Sequence, residues 1–415
     1  VRSSNNVQDG RGRGRESSAY ARERDHAQEL YERALAVDEN SVPALINLGS
    51  VYVEILNFEE AEKLLRRAYA LAPASLQVLN ALALCLKNQG RLDEAREMSG
   101  QVLKQDPHQA HALMGYHLAL PVLHENEESI DQVRSDYAAG LEAVSQALRL
   151  DTSERVVEAV DAITSTTNFC LHYQGRNDLE LQKSYAGLCE QVVGTAFPDY
   201  MKPLNKRERD ANAKLKVGFI SSYWRHHSIF KTHGAFVTEL SAEKFDVHAI
   251  HIGSQCDAAT EKVKQAVASF HHWPDFGMTH VERIKELNLD VLIYPDYGME
   301  PRLQLIAPLR LAPVQCNMGG HPVTSGLKHM DYFLSSELMV IFCAACASPC
   351  RSSAMSCSVS TVPSAFFFRG FIRRAPSAWY CALVSRERDS PSQFPRPPPP
   401  DIEAEQQEQQ SGARA

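Results

Sequence analysis

The feature that most constrains this chain is an internal repeat. Gly49, Ala61, Ala68 and Pro73 lie in VPALINLGSVYVEILNFEEAEKLLRRAYALAP, and a shift of ~34 residues lands on Ala83, Ala95, Val102 and Pro107. A shift the other way carries the Ala61, Ala68 pair onto Ala27 and Ala34. Small residues at fixed offsets let two helices of one unit pack closely, and a proline closes the second helix because it cannot continue it. The phase holds over two and a half units, so residues 19–107 are expected to form stacked helix–turn–helix pairs, a solenoid. Ala61, Ala68, Ala83 and Ala95 belong at its helix crossings.

The period fails where His117 and Ser129 take the small-residue positions. Residues 108–200 still read as helical, as in GLEAVSQALRL with apolar residues at i, i+3, i+4 and i+7. They are expected to end the solenoid and connect it onward. Residues 201–213 are charged and read as a linker. Residues 1–18 are polar and low in complexity, too poor in apolar surface to offset ordering entropy, and are expected to be disordered.

At residue 214 the pattern changes to alternating elements. Apolar runs over 214–222, 245–253, 269–273, 290–295, 312–318 and 330–336 read as strands, with helical patterns such as THVERIKELNL between them. Buried strands alternating with helices imply a doubly wound α/β domain over 214–339. Its ligand site belongs beyond the carboxyl ends of the strands. After Met339 the chain is Ser-, Pro- and Gln-rich without a period, and 340–415 reads as a disordered low-complexity tail.

Composition narrows the function classes. The net charge of -8 argues against a general nucleic-acid binder, which needs clustered Lys and Arg. No apolar run reaches the ~18 residues of a membrane helix. Of ten cysteines, Cys85, Cys170, Cys189, Cys256 and Cys316 are scattered singly and read as buried thiols of a reducing compartment. Cys343, Cys346, Cys350, Cys357 and Cys381 crowd the tail. Cys343 and Cys346 make a CxxC, but a structural zinc site needs a second pair and none follows. No metal and no cofactor are expected.

Two stretches carry chemistry. In FISSYWRHHSIFKTHG, a buried strand ends at Ser221 and Ser222, and His226, His227, Lys231 and His233 follow in the turn. A histidine here can orient a hydroxyl or take its proton, and Lys231 can hold an acidic group. The spacing is equally compatible with solvated loop residues. In MGGHPVTSGLKHMDYFLSSELM, three glycines permit close backbone approach, and Thr324 and Ser325 offer hydroxyls to a phosphate or sugar.

Taken together, KVGFISSYWRHHSIFK, DVLIYPDYGMEP, LAPVQCNMGGHPVTSGLKHMDYFLSSELM and the connector segment NFCLHYQGRNDLELQKSYAGL resemble the tetratricopeptide-repeat protein O-GlcNAc transferases and their bacterial-type relatives. The resemblance covers roughly residues 25–339. It implies tetratricopeptide repeats followed by the N-terminal, Rossmann-like lobe of a GT-B glycosyltransferase. It also implies inverting transfer of GlcNAc from UDP-GlcNAc to Ser or Thr of proteins. Under it, His227 matches the active-site histidine, Thr324 and Ser325 match the segment that faces the cleft and contacts substrate, and Asn47 fits the asparagine ladder that grips an acceptor peptide; Lys231 stays a substrate-binding candidate by its charge alone. Tyr223 replaces the family's acidic residue after the paired serines, and Ala81 breaks the ladder in the next repeat. The family's second, donor-binding lobe would follow Met339, so the chain reads as C-terminally truncated. Plant-type relatives use GDP-fucose, which leaves O-fucosyl transfer as one alternative and a non-catalytic, repeat-based scaffold as another. Expected partners are acceptor proteins and a nucleotide sugar, in the cytosol or nucleus, with no nucleic acid and no membrane.

Overall fold

The computed structural model describes residues 19–204, 213–321, 323–336 and 382–386. The first part is entirely helical: α1 (Ala19–Val37), α2 (Val42–Glu54), α3 (Phe58–Leu71), α4 (Leu76–Asn88), α5 (Leu92–Gln105) and α6 (Ala110–His117). The helices pair in sequence, as the repeat requires. Ala61 and Ala68 are fully buried, and Ala83 and Ala95 are nearly so. Gly49 is needed for close approach, because a Cβ there would sit 2.8 Å from Leu65 Cγ. Ser75 caps α4 by accepting from Val78 N, which starts the helix immediately after the Pro73 turn. Glu62 of α3 accepts twice from Arg91 Nη1, at 2.6 and 2.8 Å, and once from Arg66, tying successive repeats together.

Three longer helices follow: α7 (Glu127–Ala147), α8 (Ser153–Thr164) and α9 (Leu179–Ala196). The turn before α9 is fixed by Arg134 of α7, which donates to Asp178 at 2.7 Å, to Asn177 O at 2.7 Å and to Gln174 at 3.0 Å. Gly140 of α7 lies directly on the carbonyl of His117 at the end of α6, and a Cβ there would meet backbone.

The remainder is an α/β unit: β1 (Leu215–Ser221), α10 (Ser228–Thr238), β2 (Phe245–His251), α11 (Ala258–Ala266), β3 (Ser269–His272), α12 (His280–Glu286), β4 (Val291–Tyr294), β5 (Val314–Met318) and β6 (Tyr332–Ser336). All six strands read from the sequence are present. They are parallel, in the order β3-β2-β1-β4-β5-β6. β1 lies between β2 and β4, so chain order reverses there, and the carboxyl ends of β1 and β4 flank a topological switch point. A seventh strand, β7 (Ala382–Arg386), pairs antiparallel with β6. It was not anticipated, since the tail sequence has no period. The rest of the tail and residues 1–18 lie outside the described residues, as do most of the residues read as a linker.

The sheet buries both faces. Val217, Phe219, Val247, Ala249, Ile293 and Cys316 pack with Val237 of α10 and Val263 of α11. Ile220, Ile250, Leu292 and Tyr294 belong to a core shared with Leu141, Ile163, Leu188 and Val192 of the connector helices. The segment expected to be a connector is therefore the layer that covers one side of the sheet.

Two glycines give opposite expectations. Gly140→Ala should destabilise the protein by about 1–3 kcal/mol, because α7 must lift off a backbone carbonyl. Gly187→Ala, on the exposed side of α9 with open space around it, should stabilise by about 0.5–1 kcal/mol through helix propensity. Denaturant melts of the two variants beside the parent would check both signs.

Candidate functional site

The switch point gathers residues from three strand ends. β1 ends in Ser221 and Ser222, and a polar loop leads to His227, the N-cap of α10. β4 runs into Pro295, Asp296 and Glu300, and β5, which carries Asn317, runs into the Gly319, Gly320, His321 turn. Gly320 lies against Pro295 O and Ile229, which brings the β5 turn to the first residues of α10.

The loop after β1 is held from below. Trp224 is fully buried and its Nε1 donates to Ile250 O. Thr260 Oγ1 donates to Trp224 O at 2.6 Å, and the N–H of His226 donates to Asp257 Oδ2 at 2.6 Å. Asp257 caps α11, so the loop is clamped to that helix.

His227 accepts from Ile229 N through Nδ1 at 3.2 Å and stacks on Tyr223 at 4.1 Å between ring centroids. Burial, then the charge of Arg225, lowers its pKa. The neutral ring that accepts at Nδ1 carries its proton on Nε2, so it offers a ligand a donor there. Of the neighbours from the sequence reading, Lys231 is exposed on α10. His226 is exposed. His233 is buried, with its pKa lowered to about 4 by desolvation, and serves the core.

Beneath this rim lies a polar cluster that the sequence reading passed over. Ser222 donates from N–H to Asp296 and from Oγ to Glu300, the latter in a short contact. Arg302 holds Glu300 through Nε at 2.9 Å, reaches Ser222 Oγ at 3.2 Å and donates to Pro274 O at 3.1 Å. For Glu300, desolvation pushes upward, but the Arg302 and Ser222 bonds prevail and hold it below the usual range. Asp296 is fully buried, and desolvation followed by the Glu300 charge raises its pKa to about 8. Tyr223 is raised to about 12 by burial and by both carboxylates, which links the rim to the cluster. His321 is pushed down to about 3 by burial and by the charge of His172. It packs on Phe169 and His172 of the connector. Gly298 must be glycine, with φ +91 and the His321 ring against its Cα.

Asp296 Oδ1, Asn317 Nδ2, His321 Nε2 and Tyr294 OH are buried and have no hydrogen-bond partner among the described residues. Unpaired buried polar atoms carry a desolvation cost of roughly 1–3 kcal/mol each. Three of them, on Asp296, Asn317 and His321, belong to the β4 and β5 ends, and mark a place where polar groups are held for something other than stability. The signal was in the sequence as PDYGME, two carboxylates four residues apart just past a strand.

Thr324 and Ser325 are placed differently from expectation. Their hydroxyls accept from Gly326 N and Leu327 N, both at 3.2 Å, and Ser325 is buried. Gly326, with φ +71, rests on the backbone of Gln182 and Lys183 in α9. The turn is thus docked on the connector. Asn47 is exposed on α2, away from the helix-packing side.

Comparison with known proteins identifies the first part. Residues 57–115 match the tetratricopeptide-repeat family. The match runs into α6, past the boundary at residue 107 expected from the sequence. Protein POLLENLESS 3-LIKE 2 of Arabidopsis thaliana is 41% identical over 63 residues, 15% of this chain and 14% of that protein. Among solved structures, a mutant O-GlcNAc transferase from Thermobaculum terrenum is similar, with a TM-score of 0.49 and 18% identity over 76% of this chain and 51% of that one. MamA from Desulfovibrio magneticus RS-1 gives a TM-score of 0.26 and 17% identity, over 31% of this chain and 67% of that one. The chain thus spans about half the length of the transferase and a small part of the curated relative. No helix among the described residues is long and apolar enough to cross a membrane.

The buried acid makes a pH prediction. Asp296 titrates near 3.8 when unfolded and at about 8 when folded. Its contribution to stability is full below pH 4 and is lost as pH rises through 8. Glu300, held low, acts only at acid pH. Asp296→Asn keeps an acceptor for Ser222 N but does not titrate. Its stability relative to the parent should climb between pH 5 and pH 8 and level off above, each pKa unit being worth about 1.4 kcal/mol. Urea melts at pH 5, 7 and 9 would reveal this; a constant difference would show that Asp296 is not the titrating group.

Proposed function

We propose that this chain is the acceptor-side part of a protein O-glycosyltransferase, with a repeat solenoid that presents a protein and a GT-B N-lobe that holds the reacting hydroxyl. GlcNAc from UDP-GlcNAc is the proposed donor, transferred by single displacement without a metal, in the cytosol or nucleus. The observation that carries the reading is His227: the N-cap of α10 beyond β1, neutral, fixed at Nδ1, with its proton on Nε2 as a donor. In this role its Nε2–H positions donor and acceptor, while the acceptor hydroxyl loses its proton to solvent as its oxygen bonds the anomeric carbon and the bond from that carbon to the diphosphate breaks. The cluster of Asp296, Glu300, Ser222 and Arg302 keeps the turn in shape below it, as a preorganised site requires.

The departing diphosphate needs cationic or N–H donors. Arg302 is engaged by Glu300 and Pro274 O, and Arg225 lies over the Tyr223 ring at 5.7 Å. With Lys231, exposed on α10, as the cation this side offers, most of the neutralisation is assigned to a separate donor-binding lobe. Losing that positioning forfeits roughly 7–11 kcal/mol of barrier reduction.

A second reading, a non-catalytic binding scaffold, has its own support. Thr324 and Ser325 are committed to backbone amides of their own turn, and Tyr223 stands where the resembling family has an acid. One experiment separates the readings. Residues 1–415 are incubated with a protein extract and labelled UDP-GlcNAc or GDP-fucose, alone and with the donor-binding half of an O-GlcNAc transferase added. The expected result is no transfer alone and GlcNAc transfer on complementation, reduced at least ~100-fold in turnover by His227→Ala. Fucose label would instead assign the fucosyl donor. Efficient transfer by the chain alone would overturn the placement of the donor site. Binding of extract proteins without transfer in any arm would establish the scaffold.

A further inference from the structure

A second cluster lies on the other side of the loop that carries His226, where β2 and β3 end. His251 is the last residue of β2, His272 the last of β3, and Cys256 stands in the connection from β2 to α11. The parallel register pairs His251 with His272 directly, and their rings stack at 5.1 Å. One ligand atom from each of the three residues lies within 4.8 Å of the others. Cys256 Sγ is 3.7 Å from His272 Nε2 and 4.0 Å from Nδ1. A tetrahedral zinc ion with bonds of about 2.3 Å to sulfur and 2.0–2.1 Å to nitrogen sets its ligand atoms ~3.6 Å apart.

The outer contacts fit such a centre as well. His272 Nε2 is 2.9 Å from Gly253 O, so a proton there leaves Nδ1 as a lone pair. His251 is fully buried, with Ser221 O at 3.3 Å from Nδ1 and Gln255 O at 2.9 Å from Nε2. A neutral ring has one N–H for these two carbonyls, so one nitrogen faces a carbonyl oxygen with no proton between them, and an ion ligated there would replace that contact. A histidine that ligates through one nitrogen and donates to a backbone carbonyl through the other is the usual arrangement at zinc. Cys256 and His272 are half-buried, so an ion can enter and solvent can complete its coordination. The positive charge of Arg225 is near His251, and a thiolate ligand offsets it.

We propose that His251, Cys256 and His272 form a zinc-class metal site with an open fourth position. Binding breaks the S–H bond of Cys256 and releases its proton to solvent as the Zn–S bond forms. The role of the site is positional. Cys256 immediately precedes Asp257, whose carboxylate holds the N–H of His226, and His251 contacts the carbonyl of Ser221. An ion here would pin the ends of β2 and β3 and, through Asp257, the loop leading to His227. This assignment uses no part of the transferase reading.

Cobalt is the probe, because thiolate-to-cobalt charge transfer reports the sulfur ligand. The full chain carries Cys343→Ser, Cys346→Ser, Cys350→Ser, Cys357→Ser and Cys381→Ser, so that tail thiols cannot compete, and is stripped with a chelator. Titration with Co2+ should saturate at one equivalent, with charge-transfer and tetrahedral ligand-field bands that Zn2+ abolishes. Adding Cys256→Ser should remove the charge-transfer band. Adding His272→Gln should weaken binding at least ~10-fold. Far-UV circular dichroism of each metal-free variant serves as the folding control, and either variant alone suffices if the other fails to fold. Absence of the band in the parent, or its persistence in Cys256→Ser, would overturn the proposal.

Discussion

The structure depends on one shared burial. The face of the sheet that carries Ile220, Ile250, Leu292 and Tyr294 is covered by the helices between repeats and sheet, through Leu188, Val192, Ile163 and their neighbours. Each such side chain contributes roughly 1.5–3 kcal/mol of burial. A parallel sheet cannot leave a face in water, because its strands are apolar on both sides. Here the second cover comes from a segment that also ends the solenoid. Polar contacts fix its register: Glu190 accepts from Lys328 N at 2.7 Å, and Tyr200 O accepts from Arg310 N at 2.7 Å. The repeats are consequently attached to the α/β unit through a continuous core, and their direction relative to the switch point is set by packing.

That packing also shapes the candidate site. His321 is held by Phe169 and His172 from the segment between α8 and α9, and the Thr324, Ser325 turn rests on α9. A change in the connector would therefore be transmitted to the β5 side of the site, while the β1 side depends on α11 through Asp257. The buried carboxyls lie between the two sides. Asp296 stays protonated up to about pH 8 because desolvation and Glu300 both oppose its charge, and Glu300 can ionise because Arg302 is beside it. Two carboxyls four residues apart thus take different protonation states from their surroundings alone.

Much of this was legible from residues. The repeat phase located the helix pairs, since small residues at a fixed period have one economical use. Six strands followed from apolar runs bounded by polar turns. The placement of His227 followed from the rule that ligands meet such sheets at strand ends. Other features were hidden by distance along the chain. His251 and His272 are neighbours only because β2 and β3 pair in register. Ser325 reads as an available hydroxyl until its turn is seen docked on α9. Asp296 and Glu300 were visible as a pair, but their burial was not.

The sequence alone determined the types of the elements from α1 to β6, the order of repeat, connector and sheet, and the strand end at which His227 stands, but not β7. These are local properties: periodicity, helix stops and strand-end position are written within a few tens of residues. Only the tertiary structure decided which face the connector covers, which polar atoms are buried without partners, which protonation state each carboxyl takes, and which histidines and cysteine meet at the β2 and β3 ends. Those properties arise from desolvation and from contacts between segments distant in the chain, and no local pattern encodes them.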